Sequence, residues 1–240
     1  MYQAFLEIEN PPLPAKKKYD NFIKNTIIIG GYLLLLIIGL LETRLMCYYN
    51  LPSDCRKKIN NWNIYENTTN ILEKGMVLIL LSNLTINIKK IVRKLSLLLY
   101  ILLFLITGPI FALAGEFPGM QTSLATFTVG FNISFIVYLS CLILIIVLLS
   151  YELYIILRYH GKLYLVCYGF SRFLIILYYF IFSLLLSKEY NIHIHHLYIG
   201  YIIACLAHDN KFISWISLSI GSGIMVQGIG SYNFATIIQD

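Results

Sequence analysis

Three histidines near the C-terminus are the residues of this sequence best suited to chemistry. His193, His195 and His196 lie within four residues of one another, and His208 and Asp209 follow. Neutral imidazoles are common ligands of zinc, copper and iron. On a helix, positions i, i+2 and i+3 spread over about 300°, so the three rings converge only if this stretch is irregular. The sequence establishes no cofactor, and zinc or another transition metal at His193, His195 and His196 is the candidate.

Two interpretations of the histidines stay open. In the first, Glu116 or Glu189 completes a metal site, and a metal-bound water attacks a lipid substrate. In the second, the imidazoles lie at a membrane boundary and bond to neighbouring helices or water, as Trp and Tyr do. The second arrangement is the more common one. The sequence therefore names no catalytic residue and favours a protein that is not an enzyme.

An arginine interrupts a long apolar run. Arg172 falls within residues 163–187, and ionisable groups inside a membrane are costly and often functional. It is expected either to pair with Glu152 on the neighbouring helix or to extend its guanidinium to the inner boundary.

Small residues recur at spacing four near the C-terminus. Glycine, alanine and serine at such spacing let membrane helices approach closely. One such face combines Gly200 with Ala204, and a second segment offers several more. We therefore expect a tight helical hairpin over 190–235, packed through Gly200, Ala204, Ser217, Ser219, Gly221, Gly223, Gly228 and Gly230.

Apolar segments must position these residues. The chain is 58% hydrophobic and only 12% charged, whereas soluble domains carry about 25% charged residues. A helix of roughly 20 apolar residues crosses a bilayer, and lipid requires the backbone to bond internally. The sequence predicts an all-α, polytopic transmembrane helical bundle of about seven spans, at 26–45, 75–88, 95–114, 130–152, 163–187, 192–207 and 212–230.

The distribution of cations predicts the orientation. With the N-terminus inside, the inner segments hold eleven Lys and Arg and the outer segments hold six, in agreement with the positive-inside rule. The sequence thus predicts a flexible basic cytoplasmic arm over 1–25, a membrane domain over 26–240 and an outer or lumenal C-terminus. It does not indicate which membrane. The cations form no pattern typical of nucleic-acid binding, so the expected partners are the lipid bilayer and other membrane subunits.

The predicted outer loop, residues 46–74, carries two features typical of an extracytoplasmic segment. Cys47 and Cys55 are candidates for a disulfide, and Asn67-Thr68-Thr69 matches the acceptor pattern for N-glycosylation at Asn67. Both agree with the predicted orientation.

The C-terminal segment resembles a known family. The motif His-Ile-His-His-Leu-Tyr-Ile-Gly over 193–200, the glycine-rich stretch 221–230 and Phe234 are similar to the C-terminal membrane region of fungal LCCL-domain proteins. The resemblance covers about 45 residues. Family members place a cysteine-rich LCCL domain after the first span, where this chain has only 46–74. The resemblance implies that the histidine motif and the glycine-rich span belong together, and it implies no reaction.

Three classes of function follow from these patterns. The leading hypothesis is a multi-pass integral membrane protein of undetermined activity with a structural or complex-forming role. The first alternative is a transporter or channel for a small molecule or ion. The second is a metal-dependent membrane enzyme acting on lipid, which would purify with bound metal.

Overall fold

The chain forms a bundle of helices. In the computed structural model, residues 15–53, 55, 61–82, 94–116, 133–186, 196–208 and 211–232 are described. These residues contain helices and no strand, so the expected all-α class is confirmed. The helices are α1 (Ala15–Tyr48), α2 (Asn61–Leu81), α3 (Lys94–Ala114), α4 (Ile133–Tyr159), α5 (Lys162–Leu186), α6 (His196–Leu206) and α7 (Phe212–Tyr232).

Four segments are long and apolar enough to cross a membrane: Asn21–Tyr48 in α1, Leu97–Ala114 in α3, Leu142–Tyr159 in α4 and Phe212–Tyr232, which is α7. They make the chain an integral membrane protein by length and composition. Helix α6 has only 11 residues, about 16 Å at 1.5 Å per residue, which is short of a bilayer core of about 30 Å. The expected number of seven spans stays a prediction.

The first helix begins earlier than expected. Residues 15–25 belong to α1, although 1–25 was predicted as a flexible arm. The helix begins directly after Pro14, a residue that favours the first turn of a helix, and no proline or glycine follows before Gly30. Residues 15–25 are therefore helical, the flexibility of the arm stays a prediction, and residues 1–14 lie outside the described part.

The second helix also begins earlier, at Asn61, inside the predicted outer loop 46–74. Thr68 and Thr69 donate hydrogen bonds to the backbone carbonyls four residues before them, at 2.8 and 2.9 Å, so their polar side chains are satisfied within the helix. Asn67, Ile71 and Leu78 are buried at helical spacing. The segment is thus a helix with one buried face. Residues 83–88 of the predicted second span lie outside the described residues.

Helix α7 lies at the centre of the bundle and packs on α6, α3 and α1. In its span 72% of the residues are buried, against 17% in the span of α4 at the periphery. Leu36 of α1, Phe104 of α3, and Met225 and Ile229 of α7 are at most 2% exposed in this core.

The bundle has two distinguishable ends. At one of them, the disulfide end, α1 and α7 both terminate near the Cys47–Cys55 disulfide. There the Arg44 guanidinium donates a hydrogen bond to the Gly230 carbonyl at 2.7 Å. The opposite turn end contains the α4–α5 and α6–α7 turns, which lie against each other through the rings of His160 and His208, with centroids 5.1 Å apart. The C-terminus of α2 also reaches the turn end, since the Leu81 carbonyl accepts a hydrogen bond from Arg172 of α5.

Candidate functional site at the turn end

A buried guanidinium joins three helices at the turn end. Arg172 is 9% exposed and donates through Nε to the Cys205 carbonyl at 3.0 Å and through Nη2 to the Leu81 carbonyl at 2.8 Å. The same Nη2 lies 3.4 Å from the Ala207 carbonyl. The last carbonyls of a helix have no intrahelical partner and carry partial negative charge. Arg172 therefore caps the C-terminal ends of α2 and α6 together.

A tyrosine one turn earlier completes this arrangement. The Tyr168 hydroxyl donates a hydrogen bond to the Leu206 carbonyl at 2.8 Å, and the Arg172 guanidinium carbon lies 4.0 Å from the centroid of the Tyr168 ring. A cation over an aromatic face is attractive, particularly where water is excluded. Because positions i and i+4 share one helix face, α5 presents both side chains to the end of α6.

A buried carboxylate lies on the other side of the α6–α7 turn. Glu152 of α4 is 1% exposed, and its Oε2 lies 3.5 Å from Nδ1 of His208, which is 2% exposed. Its Oε1 accepts a short hydrogen bond from the Ser214 hydroxyl of α7. Buried carboxylates require such partners, because an isolated charge out of water is very costly. Glu152 thus joins α4 to both sides of the α6–α7 turn.

Aromatic rings surround the His208 imidazole. The ring centroids of His160, Tyr164 and Tyr168 lie 5.1, 5.2 and 5.4 Å from that of His208. His160 in turn stacks on Tyr164, with centroids 4.9 Å apart. The α4–α5 turn and the first part of α5 therefore form one wall around the imidazole, and Glu152 forms the other.

The order of these groups limits the chemistry. A serine nucleophile requires its hydroxyl to bond to the imidazole that acts as base. Ser214 bonds instead to the Glu152 carboxylate, which lies between the hydroxyl and the imidazole. The described contacts hold the carboxylate between the imidazole and the hydroxyl, which is not the order of a serine nucleophile and its base.

The predicted pairing of Arg172 with Glu152 is not what holds either residue. Within the described residues, the carboxylate of Glu152 forms a salt bridge with His208 only. The donors of Arg172 are used by helix-end carbonyls and by Ser171 Oγ. A guanidinium satisfied by neutral carbonyls and a tyrosine face does not require a carboxylate.

The candidate metal ligands are not brought into one described site. His193 and His195 lie outside the described residues, and for His196 only the backbone, at the start of α6, is described. Glu116 lies at the disulfide end, where its carboxylate accepts a short hydrogen bond from the Ser53 amide. No group of three potential metal ligands occurs within the part of the chain that the structure describes. The metal site stays a prediction.

The small residues of α7 face three neighbouring helices. A Cβ atom on Gly221 would lie 2.5 Å from the Ala204 amide nitrogen and 2.6 Å from the Gly200 carbonyl oxygen, so α6 and α7 touch through their backbones. Other members of the set face elsewhere: Ser219 donates to the Tyr100 carbonyl of α3 at 2.8 Å, and Gly230 faces Thr43 of α1. The predicted hairpin of α6 and α7 is therefore one of three close contacts that α7 makes, with α6, α3 and α1.

The features of the predicted outer loop lie near the disulfide end. The structure joins Cys47 and Cys55 in a disulfide with Cα atoms 5.6 Å apart, and Cys55 Sγ lies 3.3 Å from the Ser231 carbonyl. Asn67 is 1% exposed within α2. A glycan on its amide would require α2 to move away from its neighbours.

Sequence reasoning missed His160, Tyr168 and Ser214 as parts of the site. Tyr168 carried a signal, because it precedes Arg172 by four residues and a helix brings such residues together. His160 lies far from His208 in the sequence, and only the packing of the two turns brings their rings together. Ser214 lies near His208 in the sequence, but the two are joined through the distant Glu152.

Comparison of the chain with models of protein families, with curated proteins and with solved structures finds no match. The resemblance of the C-terminal segment to fungal LCCL-domain proteins stays a prediction.

Proposed function

We propose that this protein is a seven-crossing integral membrane protein with a structural, complex-forming role, its N-terminus cytoplasmic and its C-terminus outside. The observation that carries the proposal is the contrast between α7 and α4. Helix α7 is enclosed by its neighbours, whereas the middle of α4 exposes Leu142, Ile143 and Leu144 at 54, 52 and 48%. Consecutive helical residues point about 100° apart, so α4 offers apolar surface on several sides.

A membrane partner is the proposed occupant of this surface. Lipid is as apolar as leucine, so exposure in a bilayer does not by itself drive association. The buried polar contacts of α4 are concentrated at the turn end, where Glu152 holds it to His208 and Ser214. Such a helix can pair with another subunit along its length while remaining tied to its own bundle at one end.

Site-specific photocrosslinking tests this proposal. A photoreactive residue at Ile143 or Val147 on α4 is compared with the same residue at Leu34 or Leu41 on α1, which are similarly exposed. The proposal predicts discrete protein adducts from α4 and lipid adducts from α1. Lipid adducts alone at all four positions would contradict it.

A second candidate function is proton-linked transport of a small molecule or ion. The buried Glu152–His208 pair favours it, because ionisable groups that face one another inside a membrane bundle are typical of proton relays. Reconstituted protein should then move protons together with its substrate, and Glu152→Gln should abolish the coupling. Proton flux that is equal in the wild type, Glu152→Gln and empty vesicles would eliminate this candidate.

A further inference from the structure

Three cations lie at the turn end. Arg158 lies in the last turn of α4, Lys162 begins α5, and Lys211 immediately precedes α7. The guanidinium carbon of Arg158 and the ammonium nitrogen of Lys211 lie 5.6 and 5.0 Å from the centroid of one ring, that of Tyr159. The packing of the two turns thus brings Arg158 of α4 and Lys211 of the α6–α7 turn to one ring, and Lys162 lies at the neighbouring start of α5.

The position of the guanidinium is fixed by a neighbour. Arg158 Nη1 donates a hydrogen bond to the Tyr154 hydroxyl at 2.6 Å, one helical turn earlier. Arg158 and Lys162 are exposed, and within the described residues none of the three cations forms a salt bridge with a carboxylate. A guanidinium fork beside ammonium groups is well suited to bind a phosphate.

The surroundings of the cations favour a lipid phosphate. Tyr154 and Tyr159 are 54 and 57% exposed, and rings with a polar tip are enriched at the level of lipid headgroups. Beyond them, Leu163 and Val166 of α5 are 66 and 65% exposed on one helix face. This combination provides cations for a headgroup beside apolar side chains for acyl chains.

We propose that Arg158, Lys162 and Lys211 bind the phosphate of an anionic phospholipid, whose acyl chains lie along Leu163 and Val166. Cations near a membrane surface attract anionic lipids, and basic pockets between helices bind their headgroups. The lipid joins the α4–α5 turn to the α6–α7 turn and stabilises the turn end. This site does not depend on whether α4 binds a partner subunit.

The test uses the full-length protein in nanodiscs of phosphatidylcholine, with or without phosphatidylglycerol, and measures bound lipid by native mass spectrometry and stability by thermal unfolding. The site variant is Arg158→Gln/Lys162→Gln/Lys211→Gln. The matched control, Arg56→Gln/Lys57→Gln/Lys58→Gln, removes the same three charges from the segment between α1 and α2. Equal unfolding temperatures in pure phosphatidylcholine establish that the variants are folded; otherwise Lys162→Gln/Lys211→Gln is used.

Wild type and control should retain phosphatidylglycerol and unfold at a higher temperature in its presence. The site variant should bind it roughly a hundredfold more weakly, as expected for the loss of three cations. Three outcomes would overturn the proposal. These are no preference of the wild type for phosphatidylglycerol, equal binding by the site variant, or equal stabilisation by inorganic phosphate, which would indicate a site for a free anion.

Discussion

At the scale of single residues, the polar groups buried in this bundle serve helix ends. Arg172 and Tyr168 satisfy carbonyls that α6 and α2 leave open, and Glu152 receives the Ser214 hydroxyl and faces the His208 imidazole. Each group occupies a place where an unpaired carbonyl or charge would be costly away from water. Their positions therefore explain how a helix as short as α6 can end inside a bundle.

Replacing Arg172 should destabilise the protein strongly. Arg172→Met removes the donors from the Cys205 and Leu81 carbonyls, and we expect a loss of about 2–4 kcal/mol in the free energy of unfolding, since buried carbonyls are left without partners. Arg158→Met removes an exposed arginine and should change the free energy of unfolding by less than about 0.5 kcal/mol in neutral detergent. Reversible unfolding in mixed micelles measures both. Equal losses in the two variants would contradict the capping role.

At the scale of elements, α7 organises the bundle because its small residues let three helices approach its backbone. Gly221 of α7 packs against the backbone of α6, and Gly230 faces α1. A Cβ atom added to Gly223 would lie 2.9 Å from the Phe104 carbonyl oxygen of α3. In a bilayer, where apolar surface gains little from leaving lipid, close backbone packing and hydrogen bonds are the main attraction between helices. The glycines are therefore a structural requirement of the fold.

A glycine-to-alanine substitution, which adds one methyl group, should affect stability differently at packed and at open positions. Gly221→Ala places a Cβ atom against the backbone of α6 and should destabilise the protein by about 1–3 kcal/mol, although alanine is the better helix former. Gly169→Ala makes the same change inside α5, where nothing lies within 4 Å, and should be neutral or stabilising by up to about 1 kcal/mol. Thermal unfolding in detergent compares them. Destabilisation by Gly169→Ala equal to that by Gly221→Ala would count against close packing of α6 and α7.

At the scale of the whole molecule, apolar runs predicted where helices lie but not where they begin. Residues 95–114 and 212–230 agree closely with α3 and α7, because neither helix contains a charged residue other than Lys94. The starts of α1 and α2 were missed, because their first turns are polar and a hydropathy pattern is insensitive to them. The partners of Arg172 could not be predicted either, since Cys205 and Leu81 lie 33 and 91 residues away in the sequence.

We propose that the bundle crosses a membrane with its disulfide end and its turn end on opposite sides. Labelling of single cysteines with a membrane-impermeant maleimide on intact cells, in a background without the free cysteines, measures this arrangement. Tyr65 is 63% exposed on α2, so Tyr65→Cys reports the side of the disulfide end, and Lys162→Cys and Lys211→Cys report the turn end. We predict that Tyr65→Cys is labelled from outside, whereas the other two are labelled only after permeabilisation. Labelling of all three from the same side would show that the bundle does not cross the membrane in this way.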